Sequence, residues 1–208
     1  MRPTKRPLVV GVTGIMGAGK STVAGVFEEL GASRVDADTM GKAMLKDPQL
    51  RDEVIAVFGP GVVAASGEID TAKLGRVAFE TPENARKLDS VTREPLIARI
   101  RARIEELRPT SDVIVVDAAL LPEWGARQWL DILIAVDAEE ERSASRLARD
   151  ARFSAADVRS RMSRQFDRSG KTASADIVIP NYGSLEELKA RARAMFWTLM
   201  GIDDGARG

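Results

Sequence analysis

The sequence contains no cysteine and no histidine. Without cysteine there is no disulfide framework, no thiolate nucleophile and no thiolate metal site. Without histidine the chain lacks the side chain that most often moves protons near neutral pH, so proton transfer falls to carboxylate, lysine or tyrosine. Aromatic residues are scarce at 5%, and no net charge remains, because 31 Lys and Arg are matched by 31 Asp and Glu. A balanced chain has no overall field to draw nucleic acid or anionic lipid, so an anion site has to be built locally. Long hydrophobic runs are missing too. Leu8-Val9-Val10 follows Lys5 and Arg6 but reaches glycine at Gly11, too short for a signal-peptide core or a membrane span, which predicts a cytoplasmic protein with no membrane partner.

What is present is a chain of 208 residues, 44% hydrophobic, enough for one substantial core with small appended lobes. Apolar β-forming runs occur at Leu8–Val12, Val113–Val116, Ile132–Val136 and Ile177–Ile179, with a shorter one at Ser33-Arg34-Val35. Continuous runs of this kind suit strands buried on both faces, and their alternation with helical segments predicts an α/β fold with a parallel sheet in a three-layer α/β/α arrangement. A helix is expected from about Lys20 to Leu30, where Val23, Val26, Phe27 and Leu30 recur at spacings of three and four before Gly31. Between Pro48 and Leu107 no strand is evident, and Thr81-Pro82 reads as a cap followed by a first-turn proline. Ser154-x-x-Asp157 and Ser184-x-x-Glu187 have capping-box wording. The resulting division is a core of about 1–45, 110–141 and 173–201, a helical lobe of about 46–109, and a basic, solvent-facing lid of about 142–172.

Gly14-Ile15-Met16-Gly17-Ala18-Gly19-Lys20-Ser21 matches G-x-x-x-x-G-K-[ST], directly after the first strand and opening a helix. The glycines let backbone N–H groups turn toward phosphates, and the helix N-terminus adds its positive end to the same anion. Lys20 supplies a mobile cation to the β- and γ-phosphates, while Ser21 offers a hydroxyl to Mg²⁺. Residues 14–22, ending at Thr22, are therefore the expected ATP-binding segment.

A magnesium site needs carboxylates, and Asp117 ends its apolar run as a Walker-B-like acid does. The same residue also reads as a simple turn aspartate. Asp36 and Asp38 stand two apart after the second run, so an extended chain would turn both toward the strand ends where ligands of open parallel sheets bind. Asp38 is the expected base toward an acceptor hydroxyl. Arg146, Arg149, Arg159, Arg161, Arg164, Arg168 and Lys171 form a basic stretch. Guanidinium groups there could meet the charge of a transferring phosphoryl group, with Arg149 favoured, or form a solvated helix face. Transfer to a nucleoside, nucleotide, sugar alcohol or related small molecule and nucleotide switching both remain open at this level. Against the switch, no Asn-Lys-x-Asp guanine-reading motif is present.

Taken together, the chain resembles dephospho-coenzyme A kinase from Gly11 to about Gly183. The likeness rests on Thr13–Thr22, Asp36-Ala37-Asp38, Gly67-x-x-Asp70, Asp117-x-x-Leu120-Leu121-x-Glu123, Arg146-x-x-Arg149-Asp150, Arg161-x-x-x-Gln165 and Ala175-Asp176-x-Val178-Ile179-x-Asn181-x-Gly183. The resemblance implies transfer from ATP to the ribose 3′-hydroxyl of dephospho-coenzyme A. It also implies Asp38 as catalytic base, catalytic and phosphate contacts from Lys20 and Arg149, and ATP-adenine surroundings at Asn181. Acceptor or lid contacts fall to Asp36, Arg93, Leu120, Glu123, Gln165 and Lys171, and the metal contacts to Ser21 and Asp117. Four positions depart from the family pattern. Arg93-Glu94-Pro95 stands where a His-Pro pair is usual, Ala119 where proline precedes Leu-Leu, Pro122 before the glutamate, and Ile15 in place of the second P-loop glycine.

Overall fold

The computed structural model describes residues 6–148 and 168–201, without the side chains of Ser145, Arg146 and Ala148. Strands β1 (Leu8–Thr13), β2 (Ser33–Asp36), β3 (Val113–Asp117), β4 (Ile132–Asp137) and β5 (Ile177–Pro180) form one sheet in the order β2-β3-β1-β4-β5, and every pairing is parallel. The α/β expectation is met, and β1, β3, β4 and β5 each run one residue further than the apolar runs suggested. Strand order reverses at β1, which lies between β3 and β4. The crevice beyond its carboxyl end is where ligands of such sheets bind.

Alternation along each strand divides the core. Val10, Val12, Val113, Val115, Ile134 and Val136 face helices α1 (Lys20–Glu29) and α8 (Leu185–Leu199), with Phe27 and Phe196 in edge-to-face contact at a centroid distance of 5.3 Å. Val9, Val35, Ile114, Val116 and Leu133 face the other way, onto α5 (Pro82–Leu107) and the segment after β3. Ser184 caps α8 by accepting from the Glu187 N–H, as its capping-box wording predicts.

Helices α2 (Ala37–Met44), α3 (Pro48–Phe58) and α4 (Thr71–Glu80) lie between β2 and α5. Asp47, Asp70 and Thr81 cap α3, α4 and α5 in turn, and Pro48 and Pro82 occupy first-turn positions where a missing N–H is harmless. An apolar cluster of Val54, Val62, Ile69, Leu74 and Ala78 fills this region, with Leu88 and Val91 of α5 packed on it. Further along α5, Ile100 and Ile104 are buried against the sheet. The absence of strands expected here holds apart from a single antiparallel bridge, Val63 to Ile69. Among the described residues no helix is long and apolar enough to cross a membrane. Two short helices, α6 (Glu140–Ala148) and α7 (Arg168–Ser174), follow β4 and precede β5.

Phe27 is fully buried, so Phe27→Ala removes a ring from the α1–α8 interface and should cost about 3–5 kcal/mol. Urea unfolding should show a lower midpoint at unchanged slope. A loss below about 1 kcal/mol would mean that the interface collapses onto the gap.

Candidate active site

The phosphate loop leaves β1 at Gly14, whose φ is +150°; a Cβ there would lie 2.5 Å from the Val136 carbonyl oxygen of β4. Gly19 begins α1 at φ +101°, where a Cβ would meet Asn181 and Leu188 at 2.8 Å. Both positions therefore exclude a side chain by conformation and by space. The buried Asn181 amide donates to the Ala18 carbonyl at 2.7 Å, and its own N–H donates to the Asp137 carbonyl at 2.6 Å. Asn181, expected near the ATP base, thus holds the loop's backbone in shape. Thr13, also buried, donates its hydroxyl to the Ala119 carbonyl at 2.9 Å. Lys20 lies across the loop with Nζ donating to the Ile15 carbonyl at 3.2 Å. Burial pulls its ammonium below the usual lysine range, and the charges of Asp117 and Asp38 oppose that pull. Ser21 is exposed at the first turn of α1.

The carboxylates differ from the expected extended pair. β2 ends at Asp36, whose Oδ1 accepts from the Thr39 N–H at 2.8 Å and so starts α2. Asp38 is then on the first turn of that helix, exposed. The Asp-Ala-Asp spacing acts as a helix start because a capping aspartate satisfies an otherwise orphaned N–H. Asp117 is buried at the end of β3, in register with Asp36 of β2 and Val12 of β1. Its Oδ2 accepts from Arg34 Nη2 at 2.6 Å, and the same nitrogen lies 3.3 Å from Asp36 Oδ2. Burial works against the Arg34 charge, but the hydrogen bond and charge of Asp117 outweigh it and raise the pKa above the ordinary arginine range. Sequence reading passed over Arg34, although a charged residue two before Asp36 on one strand face was the available signal.

On the opposite sheet face the segment after β3 is cross-linked by charge. Lys171 of α7 is buried, with Nζ 2.7 Å from Glu123 Oε2 and also bonded to the Ala119 carbonyl. Burial lowers its pKa, and Glu123 opposes the shift. Arg93 of α5 donates from Nη2 to the Glu123 carbonyl at 3.3 Å. Leu120 lies half-buried in the same segment. Arg93, Glu123 and Lys171 are therefore brought together, with Glu123 and Lys171 paired to each other.

A further cluster escaped sequence reading. Asp137 ends β4 as Asp117 ends β3, and its Oδ2 accepts from Arg168 Nη2 at 2.8 Å and from the Tyr182 hydroxyl. The Arg168 guanidinium lies over the Tyr182 ring, 5.4 Å from its centroid, and Arg142 donates to the Tyr182 carbonyl. An aspartate closing an apolar strand was the signal. The Arg168 hydrogen bond, together with that from Tyr182, holds the Asp137 carboxyl below the usual range against the effect of burial. Arg149 and Gln165, with Arg159, Arg161, Arg164 and the Ser154-x-x-Asp157 capping box, lie outside the described residues, as does the side chain of Arg146.

Residues 8–187 match the family model described as dephospho-CoA kinase. The dephospho-CoA kinase of Geobacillus kaustophilus is 33% identical over 190 residues, covering 90% of this chain and 94% of that protein. The dephospho-CoA kinase of Streptomyces avermitilis is 36% identical over 186 residues, covering 88% and 90%. Among solved structures, TT1252 from Thermus thermophilus superposes with a TM-score of 0.74 at 28% identity, covering 94% of this chain and 99% of its own.

Two consequences of the charge pairs can be measured. Lys171→Met removes the ammonium that pairs with Glu123 and should cost about 3–5 kcal/mol in thermal unfolding, with Lys171→Met/Glu123→Gln recovering much of it. A double variant no more stable than the single would show that the two charges are not coupled. Because the Asp137 pKa is depressed, the stability it adds is fully present above the ordinary carboxylate range and is lost as pH falls through its lowered value. The Tm difference between wild type and Asp137→Asn should be widest near pH 6 and close progressively below about pH 4. A gap that stays constant over that interval would detach the cluster from this pH dependence.

Proposed function

The chain belongs to the dephospho-CoA kinase family, and from that premise we propose how its residues carry out ATP-dependent phosphorylation of dephospho-CoA. The carrying observation is the phosphate loop at the switch point of the sheet, with Lys20 across it and Asp38 on the next helix close enough for its charge to act on Lys20.

Residues Gly14, Ile15, Met16, Gly17, Ala18, Gly19, Lys20, Ser21 and Thr22 cradle the ATP phosphates through backbone N–H groups and the start of α1. The acceptor is the ribose 3′-hydroxyl. Its oxygen forms a bond to the γ-phosphorus, the bridging bond to the β-phosphate breaks, and the bridging oxygen leaves with the electron pair as part of ADP. The hydroxyl proton passes to the Asp38 carboxylate, the role left to an acid in a chain without histidine. Lys20 meets charge that grows on the β- and γ-phosphate oxygens. Magnesium fits the available donors, since the Ser21 hydroxyl and the Asp117 carboxylate are hard oxygen ligands beside the loop. Bound there with ATP, the ion would offset charge on the phosphates. Arg149 and Gln165 are assigned to the lid.

Helices α3 to α5 form the acceptor lobe in this reading, with Arg93, Leu120, Glu123 and Lys171 bordering the acceptor side and Asp36 supporting Asp38. Asn181 serves ATP through the loop that it braces. The partners are the two small molecules and not nucleic acid, and the cytoplasm, where ATP is abundant, is the expected compartment.

Transfer of labelled phosphate from ATP to dephospho-CoA, with the labelled position determined, tests the reaction; label anywhere but the 3′-oxygen would refute the acceptor assignment. Lys20→Met should lower turnover by roughly 10²–10³. Asp38→Asn should lower kcat by roughly 10²–10⁴ with ATP affinity close to wild type, and a kcat near wild type would remove Asp38 as the base. Arg93→Ala should raise the KM for dephospho-CoA and leave that for ATP unchanged; the reverse pattern would move Arg93 away from the acceptor.

A further inference from the structure

The conflict in the phosphate site is between Lys20 and the acids around it. Asp117 and Asp38 both act on the Lys20 charge, Asp117 more strongly. An ammonium that pairs with a neighbouring carboxylate is withdrawn from an incoming phosphate, so the loop needs a reason for Lys20 to remain on its own backbone, as it does at the Ile15 carbonyl. A reason lies one strand over. Arg34, Asp36 and Asp117 project from the same face of the sheet, because Asp36 and Asp117 are register partners and Arg34 is two residues before Asp36. Arg34 reaches Asp117 Oδ2 at 2.6 Å and Glu28 of α1 at 3.7 Å, with its side chain only 20% exposed and that of Asp117 6% exposed. Asp117 and Asp36 share Nη2 of this planar guanidinium and Glu28 lies near Nη1, which restricts its direction, whereas the lysine ammonium is a mobile point charge.

We propose that Arg34 is a positioning residue for phosphoryl transfer: by holding one carboxylate oxygen of Asp117, it keeps that acid from capturing Lys20 and leaves the other oxygen for the magnesium that accompanies ATP. This rests on the reading of Asp117 as the metal-facing carboxylate. In this role Arg34, whose partners are Asp117, Asp36 and Glu28, acts through Asp117. The arrangement also explains an acid buried beside an anion site. Paired with Arg34, Asp117 repels an arriving nucleotide less than it would unpaired, when it would also attract Lys20 more strongly.

A double-variant cycle separates this role from plain electrostatic attraction, because residues that act through one another are non-additive. ATP affinity is measured by calorimetry with EDTA present, so that no metal contributes, in wild type, Arg34→Met, Asp117→Asn and the double variant. Arg34→Met should weaken metal-free ATP binding about tenfold, and in the Asp117→Asn background the same substitution should cost less than about twofold. An equal loss in both backgrounds would make Arg34 a general cation and overturn the proposal, as would no loss in either. Arg34→Gln, which keeps hydrogen-bonding capacity without charge, repeats the cycle should Arg34→Met fail to fold. A second readout is the magnesium concentration for half-maximal turnover. It should rise in Arg34→Met through the misplaced Asp117 and in Asp117→Asn through its loss. If Asp117→Asn leaves it unchanged while the metal-free cycle remains non-additive, the metal assignment of Asp117 is wrong and the Arg34 control of Lys20 stands.

Discussion

A loop that offers N–H groups to phosphate has few left to hold itself together; inside it the Ala18 N–H donates to the Ile15 carbonyl at 3.1 Å, and the rest of its shape has to be imposed from outside. Here the restraint comes from three directions. The Val136 carbonyl of β4 presses against Gly14, the Asn181 amide after β5 grips the Ala18 carbonyl, and Leu188 of α8 closes on Gly19. Each brace belongs to an element that follows the loop by more than a hundred residues. The loop therefore takes this shape only when the parallel sheet has assembled, and its pre-organisation depends on the sheet order as well as on the glycine-rich segment.

Electrostatics then divides the two sheet faces. Toward α1 lie Arg34, Asp36 and Asp117; toward α5 lie Lys171, Glu123 and Arg93. At the carboxyl end of β4, Asp137 ties Arg168 of α7 to Tyr182 beyond β5. Buried charges are paired in each case, as the cost of isolating an ion in a poorly solvated interior requires. The pairs join elements far apart in the chain, Asp117 to Arg34, Glu123 to Lys171 and Asp137 to Arg168.

Much of the fold was legible because strands buried on both faces must be apolar throughout, and β1, β3, β4 and β5 announce themselves in that way. The phosphate loop was legible because its conformation demands glycine at Gly14 and Gly19 whatever the neighbours are. Asp38 was placed correctly beyond β2 but on the wrong backbone. The residue pattern Asp-Ala-Asp fits an extended end as well as a helix start, and the choice was made by Asp36 accepting the Thr39 N–H. The partners of Asp137 and Asp117 were not legible, since they lie 31 and 83 residues away in the chain and meet only through strand order. For Asn181 the position was found and the contact was not, because a side-chain amide serves a carbonyl or a nucleobase with equal ease.

Helix α5 has a mechanical meaning beyond its packing. Its 26 residues extend about 39 Å at 1.5 Å per residue, with Leu88 and Val91 seated in the helical lobe and Ile100 and Ile104 seated on the sheet. One helix, carrying Pro95 between its two seats, thus acts as a ruler between the two regions. It spans the distance between them directly. A ruler of this kind tolerates exchange of its exposed residues but not a change in their number. One residue inserted between Arg93 and Ile100 would turn the two parts of the helix through about 100° relative to each other and swing Arg93 away from Glu123.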